Sequence, residues 1–344
     1  MSHRIIETNN ENKIETTMIP QLLWKRKQKI LPVIILIVIV LWILIKILYV
    51  PGKFDYGDIK TQVHCEENAK YNGQKYVLIP MNTVFNEFGL GNQLFETFSL
   101  LGIANVLNRT AIFNVDDQKV QMNLRHLRER LPQVVNQVIS VPINKTDTLR
   151  FDYPEACCQY MFPRIMTCEQ SKYLLIHGRF FQSFKYFSSI DTKIRNLMNP
   201  PRDKEKRLRQ LVPKEDESLF KTCVHVRRGD FVGAGGNDNE WVRKNVVDKM
   251  EFRGNVRIMN TTGEDAFMDL YFSRIYCDSV LITASSSTFG WWLGYLSKNQ
   301  STVYYWDIDE SGDTTRFQMI QEDFFPPEWK RMKMSQNGRV SVSK

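Results

Sequence analysis

Adjacent guanidiniums at the end of an apolar run are the clearest chemical signal in the chain. His225-Val226-Arg227-Arg228-Gly229-Asp230 continues the run 220–226, and in open α/β sheets ligands collect beyond the carboxyl ends of strands. Planar, multi-donor arginines placed there suit a pyrophosphate. A surface salt-bridge patch, a satisfied core His225 and a chance adhesion triplet at Arg228-Gly229-Asp230 compete with that reading. Adhesion needs an exposed loop tip, whereas this triplet directly follows an apolar strand, so phosphate binding is favoured.

Two further clusters carry the same kind of chemistry. Gly89-Leu90-Gly91-Asn92-Gln93-Leu94-Phe95 is a glycine-rich turn entering a helix, where backbone can approach a ligand and helix-start N–H groups attract anions; an ordinary turn is the alternative. Ser285-Ser286-Ser287-Thr288-Phe289-Gly290-Trp291-Trp292 again runs from strand to helix, with hydroxyls for a second anion site. Trp291 and Trp292 are expected to pack that helix against its sheet. Together the three clusters describe a nucleotide diphosphate site between two sheets.

The elements that must position them follow from periodicity. Runs 76–80, 111–115, 173–177, 220–226, 279–284 and 302–306 read as buried strands, and 92–107, 240–250, 264–277 and 289–297 as helices. That alternation predicts an α/β fold with mostly parallel sheets.

The ends read differently. Residues 30–50 form an apolar stretch with one charge, Lys46, roughly 31 Å of helix at 1.5 Å per residue, about a bilayer core. Lys25, Arg26, Lys27 and Lys29 precede it while only Lys53 and Lys60 follow closely, which predicts a cytoplasmic tail 1–29 and a lumenal or exterior domain. Residues 51–75 read as a stem, 76–215 and 216–330 as two halves of a globular part, and 331–344 as a loose tail. Sequons at Asn108, Asn144, Asn260 and Asn299 all lie after the span. Cys65, Cys157, Cys158, Cys168, Cys223 and Cys277 then sit in a disulfide-permissive compartment, with their pairing left open. The net charge of +8 divides evenly between residues 1–50 and the other 294. An excess so diluted argues against a nucleic-acid partner.

The three clusters, with Gly178-Arg179-Phe180-Phe181-Gln182-Ser183-Phe184-Lys185-Tyr186-Phe187, resemble, in order over residues 76–306, the signature segments of the α-1,2-fucosyltransferase family, glycosyltransferase family 11. The resemblance implies a GT-B-like pair of Rossmann-like halves behind a type II Golgi membrane anchor. It implies inverting transfer of fucose from GDP-fucose to a galactose 2-hydroxyl on a glycan acceptor, with no metal expected. By motif position Arg227 would hold the donor phosphates and stabilise departing GDP, with Arg228 beside it, and His225 would orient Arg227 or touch the donor. Ser287 and Thr288 would bind phosphate; Gly91, Asn92 and Gln93 would approach the fucose end. The transfer also needs a base for the acceptor hydroxyl; Asp230, and Glu87 beside the first segment, are the carboxylates at hand, with Asp230 reading first as a loop-ordering group and second as a catalytic candidate.

One departure stands out. Family members place a helix and a strand between HxRRGD and an acidic-aromatic segment; here residues 231–240, with three glycines, lead directly to Trp241. Ten such residues are too few for a parallel crossover, so the chain reads as a form shortened by one strand-helix unit. Two other functions stay open: a metal-dependent transferase using Asp307-Ile308-Asp309, and an inactive membrane-anchored glycan-binding relative.

Overall fold

The computed structural model describes residues 73–80, 89–116, 118–143, 145–153, 157–226, 265–310, 313–334 and 339–343. All belong to one compact unit, Val63–Lys344; the other unit, Met1–Gln62, lies outside the described residues.

Sheet one is assembled from β1 (Tyr76–Leu78), β2 (Thr110–Asn114), β3 (Ile139–Val141), β4 (Thr148–Asp152) and β5 (Tyr173–His177), with helices α1 (Leu90–Leu107) and α2 (Gln118–Arg130) between the early strands. Its order is β3-β2-β1-β5-β4, and every neighbouring pair is parallel. Helices α3 (Asp191–Leu197) and α4 (Arg202–Leu211) lead to sheet two: β6 (Thr222–His225), α5 (Ala266–Tyr276), β7 (Ser279–Ile282), α6 (Thr288–Leu296), β8 (Val303–Trp306), β9 (Lys330–Met334) and β10 (Val340–Ser343). The second order is β10-β9-β8-β7-β6, parallel except for the β9–β10 hairpin. The architecture is therefore α/β with mostly parallel sheets, and each of the six apolar runs holds a strand. Strand β7 is buried at every position, as expected of a central parallel strand covered on both faces.

Of the expected loose tail 331–344, residues 331–334 and 340–343 are strand instead. From Arg331 to Met334 strand β9 alternates charged and apolar residues, the period of a strand. Lys333 and Arg331 reach the buried Asp307 carboxylate at 2.7 and 3.8 Å, Met332 packs on Leu281, and Asp307 N donates to Met332 O at 2.8 Å.

Helix α1 is buried nearly all round, as a helix enclosed by other elements should be, and its polar positions find partners. Thr97 Oγ1 donates to Gln93 O at 2.8 Å and Ser99 Oγ to Phe181 O at 2.9 Å. Rings from α1 and α6 interlock in one core. Phe95 lies 4.6 Å from Trp291 and 5.2 Å from Trp292, Phe98 5.3 Å from Trp292, and Phe187 stacks on Trp292 at 5.6 Å. The tryptophans thus pack the helix, as expected, with Trp291 Nε1 donating to Phe324 O at 2.8 Å.

A disulfide joins Cys223 in β6 to Cys277, just before β7, across 54 residues. Cys168 is also disulfide-bonded, whereas Cys157 and Cys158 are free thiols.

Among the described residues no helix is long and apolar enough to cross a membrane; the run 30–50, the tail 1–29, most of the stem and the helix expected at 240–250 lie outside them.

Candidate functional site

Three stretches distant in sequence meet where α1 and α6 begin. His225 closes β6, and its carbonyl accepts from Thr283 Oγ1 at 2.7 Å, which ties it to the end of β7. Its ring lies flat on the first turn of α6: a Cβ added to Gly290 would sit 2.6 Å from His225 Nδ1. Nε2 is 3.5 Å from Ser287 Oγ, with donor and acceptor set by the tautomer.

The start of α6 is built from hydroxyls. Ser287 is its N-cap, accepting from Gly290 N at 3.2 Å, which satisfies one of the amides a helix start leaves unpaired. Ser285 donates to Trp306 O and Ser286 to the Asp313 carboxylate. Asp313 Oδ1 in turn accepts from Thr315 N at 2.8 Å. Ser287 is buried and Thr288 half-buried.

Gly91 brings the glycine-rich turn against this helix start. A Cβ there would stand 2.6 Å from Phe289 N and the Thr288 carbonyl carbon, and 2.7 Å from Thr288 Oγ1. Only glycine admits that approach, because the obstructing atoms are mostly backbone. Trp292 Nε1 donates to Gly91 O at 2.9 Å and locks the contact. Asn92 and Gln93 follow, both half-buried, and Asn92 Oδ1 accepts from Gln182 Nε2 at 2.8 Å.

Gln182 belongs to a loop held in costly backbone. Phe180 and Phe181 have φ of 63° and 50°, the left-handed region that bulky residues rarely enter, a conformation retained where the surroundings over-determine it. The surroundings here are explicit. Phe181 O accepts from Ser99, and Lys185 Nζ pairs with Asp323 at 2.7 Å. Gly102 of α1 leaves room for the Tyr186 carbonyl, which a Cβ would strike. Burial pushes the Tyr186 hydroxyl far above its ordinary pKa, so it stays a neutral donor, to Gln159 O at 3.2 Å.

The structure thus gathers Gly91, Asn92, Gln93, His225, Ser287 and Thr288 at one place. Val226 is the last described residue of its segment, so Arg227, Arg228 and Asp230 lie outside the described residues, as does Glu87. Of the sequons, Asn108 and Asn299 are exposed; Asn144 and Asn260 lie outside the described residues. Gln182, Asp313 and the Cys157–Cys158 pair adjoin the same place, and sequence reasoning assigned none of them a part there. Gln182 stands inside a quoted motif, which was the one available signal.

Asp307-Ile308-Asp309 has a structural use. Asp307 is fully buried and paired with Lys333, and its Oδ1 accepts from Asp309 N at 2.9 Å. Asp309 Oδ2 accepts from Gln321 at 3.1 Å. Among the described residues no group of three or more His, Cys, Asp or Glu is arranged to hold a metal ion.

No family model matches the chain. Several curated proteins of Caenorhabditis elegans are similar to it, among them the following three. A galactoside 2-alpha-L-fucosyltransferase is 46% identical over 318 residues, 84% of this chain and 89% of that protein. A second protein of the same name is 33% identical over 75% of this chain and 77% of its own length. A putative galactoside 2-alpha-L-fucosyltransferase, svh-11, is 29% identical over 88% and 92%.

Proposed function

The chain belongs to the galactoside 2-alpha-L-fucosyltransferase family, and from that premise we propose that it moves fucose from GDP-fucose onto the 2-hydroxyl of a galactose-terminated glycan, with inversion. It is a glycosyltransferase. The observation that carries the reading is the convergence of Gly91, His225 and Thr288 at two helix starts, the position where a sugar nucleotide straddling two α/β halves of GT-B type is held.

In this reading the chain's own groups divide the work. Arg227, two residues beyond His225 in sequence, holds the diphosphate and stabilises the charge that develops on departing GDP. Arg228 adds donors to the same phosphates, and Thr288 supplies a hydroxyl from the opposite helix start. His225, packed on Gly290 and facing Ser287, sets where the β6 terminus delivers both arginines. Asn92 and Gln93, with Asn92 aligned by Gln182, face the fucose end. Asp230 takes the acceptor proton as the hydroxyl attacks the anomeric carbon. No metal takes part; the use of Asp307 in a buried ion pair supports this over the Asp307-Asp309 alternative.

Placement follows the same reading. Residues 30–50 anchor the chain in the Golgi membrane as a single type II span, with the catalytic part lumenal and glycans on Asn108, Asn144, Asn260 and Asn299. The disulfide Cys223–Cys277 supports an oxidising compartment.

The shortened form also has support. Since 84% of 344 residues is about 289, the 318 aligned positions leave about 29 of the relative's without a counterpart here, a length that suits one strand-helix unit. Among the described residues β6 is the terminal strand of sheet two, and Leu219, Phe220 and Val224 around it are exposed.

The test is direct. Full-length chain in detergent, given GDP-fucose and a panel of galactosides, is expected to release GDP and yield an α-1,2-linked product, equally with and without a chelator. Activity lost to the chelator would favour the metal-dependent reading. Absence of turnover on every galactoside would favour the inactive glycan-binding relative.

A further inference from the structure

Behind the candidate site lie two sulfurs that the transfer reaction does not use. Cys157 and Cys158 are both buried, and their Sγ atoms are 2.6 Å apart. A disulfide spans about 2.05 Å, so the pair needs only a short further approach to bond. The pair is wired to the site. Cys158 Sγ donates to Gln182 Oε1 at 3.1 Å, Cys157 O accepts from Gln182 N at 3.1 Å, and Gln182 Nε2 donates to Asn92 Oδ1 at 2.8 Å. The single Cys158 S–H serves Gln182 in the dithiol; turned to Cys157 Sγ instead, it favours that group as thiolate and pulls its pKa down, while burial pushes that of Cys158 up. Cys157 is therefore the first thiolate of the two. Elsewhere the same chain carries Cys223–Cys277 already oxidised.

We propose that Cys157 and Cys158 are a modification site, closing to a vicinal disulfide whose formation withdraws the thiol that holds the Gln182 carboxamide. The Cys157 thiolate attacks an external disulfide, such as glutathione disulfide or that of a protein oxidoreductase, and expels one thiolate. Cys158 then attacks the mixed disulfide and expels the second external sulfur as a thiol. Two protons leave the cysteines, and their two electrons reduce the external disulfide to two thiols. With the S–H gone, Gln182 Oε1 loses this donor and the side chain keeps Asn92 through Nε2 alone. The dithiol fixes the amide at both ends; the disulfide fixes it at one.

The first test needs no transferase activity. Full-length chain made in a secretory cell is extracted without reductant, denatured in N-ethylmaleimide and digested with trypsin. Peptide 151–164 contains Cys157 and Cys158 as its only cysteines. It is expected two hydrogens lighter and unlabelled, taking up two labels only after reduction. Two labels without reduction, with Cys223–Cys277 still bonded, overturn the proposal. Labels on all four cysteines overturn it together with the lumenal placement. The second test rests on the fucosyltransferase reading and compares two variants that cannot form the ring. Cys157→Ser keeps the Cys158 thiol for Gln182; Cys158→Ala does not. KM for GDP-fucose is expected roughly twofold to tenfold lower in Cys157→Ser, the range for one hydrogen bond, with the unreduced wild type matching Cys158→Ala. Equal KM in the two variants overturns the link through Gln182.

Discussion

Helices α1 and α6 begin side by side but are held by different means. At α6 the start is secured by side chains: Ser287 caps Gly290 N, Ser286 bonds Asp313, and the His225 ring covers the first turn. At α1 the N-cap is Gly89, with no side-chain cap hydrogen bond, and position depends on Gly91 lying against Thr288 and Phe289 backbone. One start is fixed by hydrogen bonds that are individually replaceable. The other is fixed by the absence of a side chain, which has no substitute. Nothing but glycine serves at 91, whereas position 287 tolerates change at modest cost.

Perturbing each support separates these means, beginning with the staple beside them. Replacing Cys223 and Cys277 by serine frees a loop of 54 residues, a loss of about 4 kcal/mol on the chain-entropy estimate, read as a fall in melting temperature with loosened β6. Gly91→Ala drives a methyl into backbone that cannot swing aside, a cost of about 3 kcal/mol; thermal unfolding is expected to shift and donor binding to fail together. Gly290→Ala meets the His225 ring instead, and a ring can tilt. About 2 kcal/mol is expected, with activity falling further than stability because the β6 terminus is displaced. Ser287→Ala removes one cap, about 1 kcal/mol, and denaturant titration is expected to show the smallest change of the series. A Ser287→Ala penalty larger than that of Gly91→Ala would invert the comparison.

Legibility followed the same division. Strands β1, β2, β5, β6, β7 and β8 stood out as continuous apolar runs because their neighbours cover them. Strand β4 did not, since it lies at an edge with its residues exposed or half-buried, and β9 did not, since its charges serve the buried Asp307. The meeting of Gly91, His225 and Ser287 was readable because strand ends and helix starts gather at the carboxyl edges of parallel sheets. Gln182, Asp313 and the Cys157–Cys158 pair were not. Gln182 and the cysteines hydrogen-bonded to it lie at a loop shaped by left-handed phenylalanines at 180 and 181 and by the room left by Gly102, and Asp313 arrives through its bond to Ser286, features that no spacing encodes.

The central claim is that the arginine delivered by the β6 terminus stabilises a guanosine diphosphate as fucose departs. The measurement that tests it most directly is kcat for fucose transfer by Arg227→Ala beside the wild type, with both melting curves recorded. The account predicts at least about a hundredfold loss of kcat with unchanged thermal unfolding. A variant that transfers fucose at the wild-type rate would contradict it.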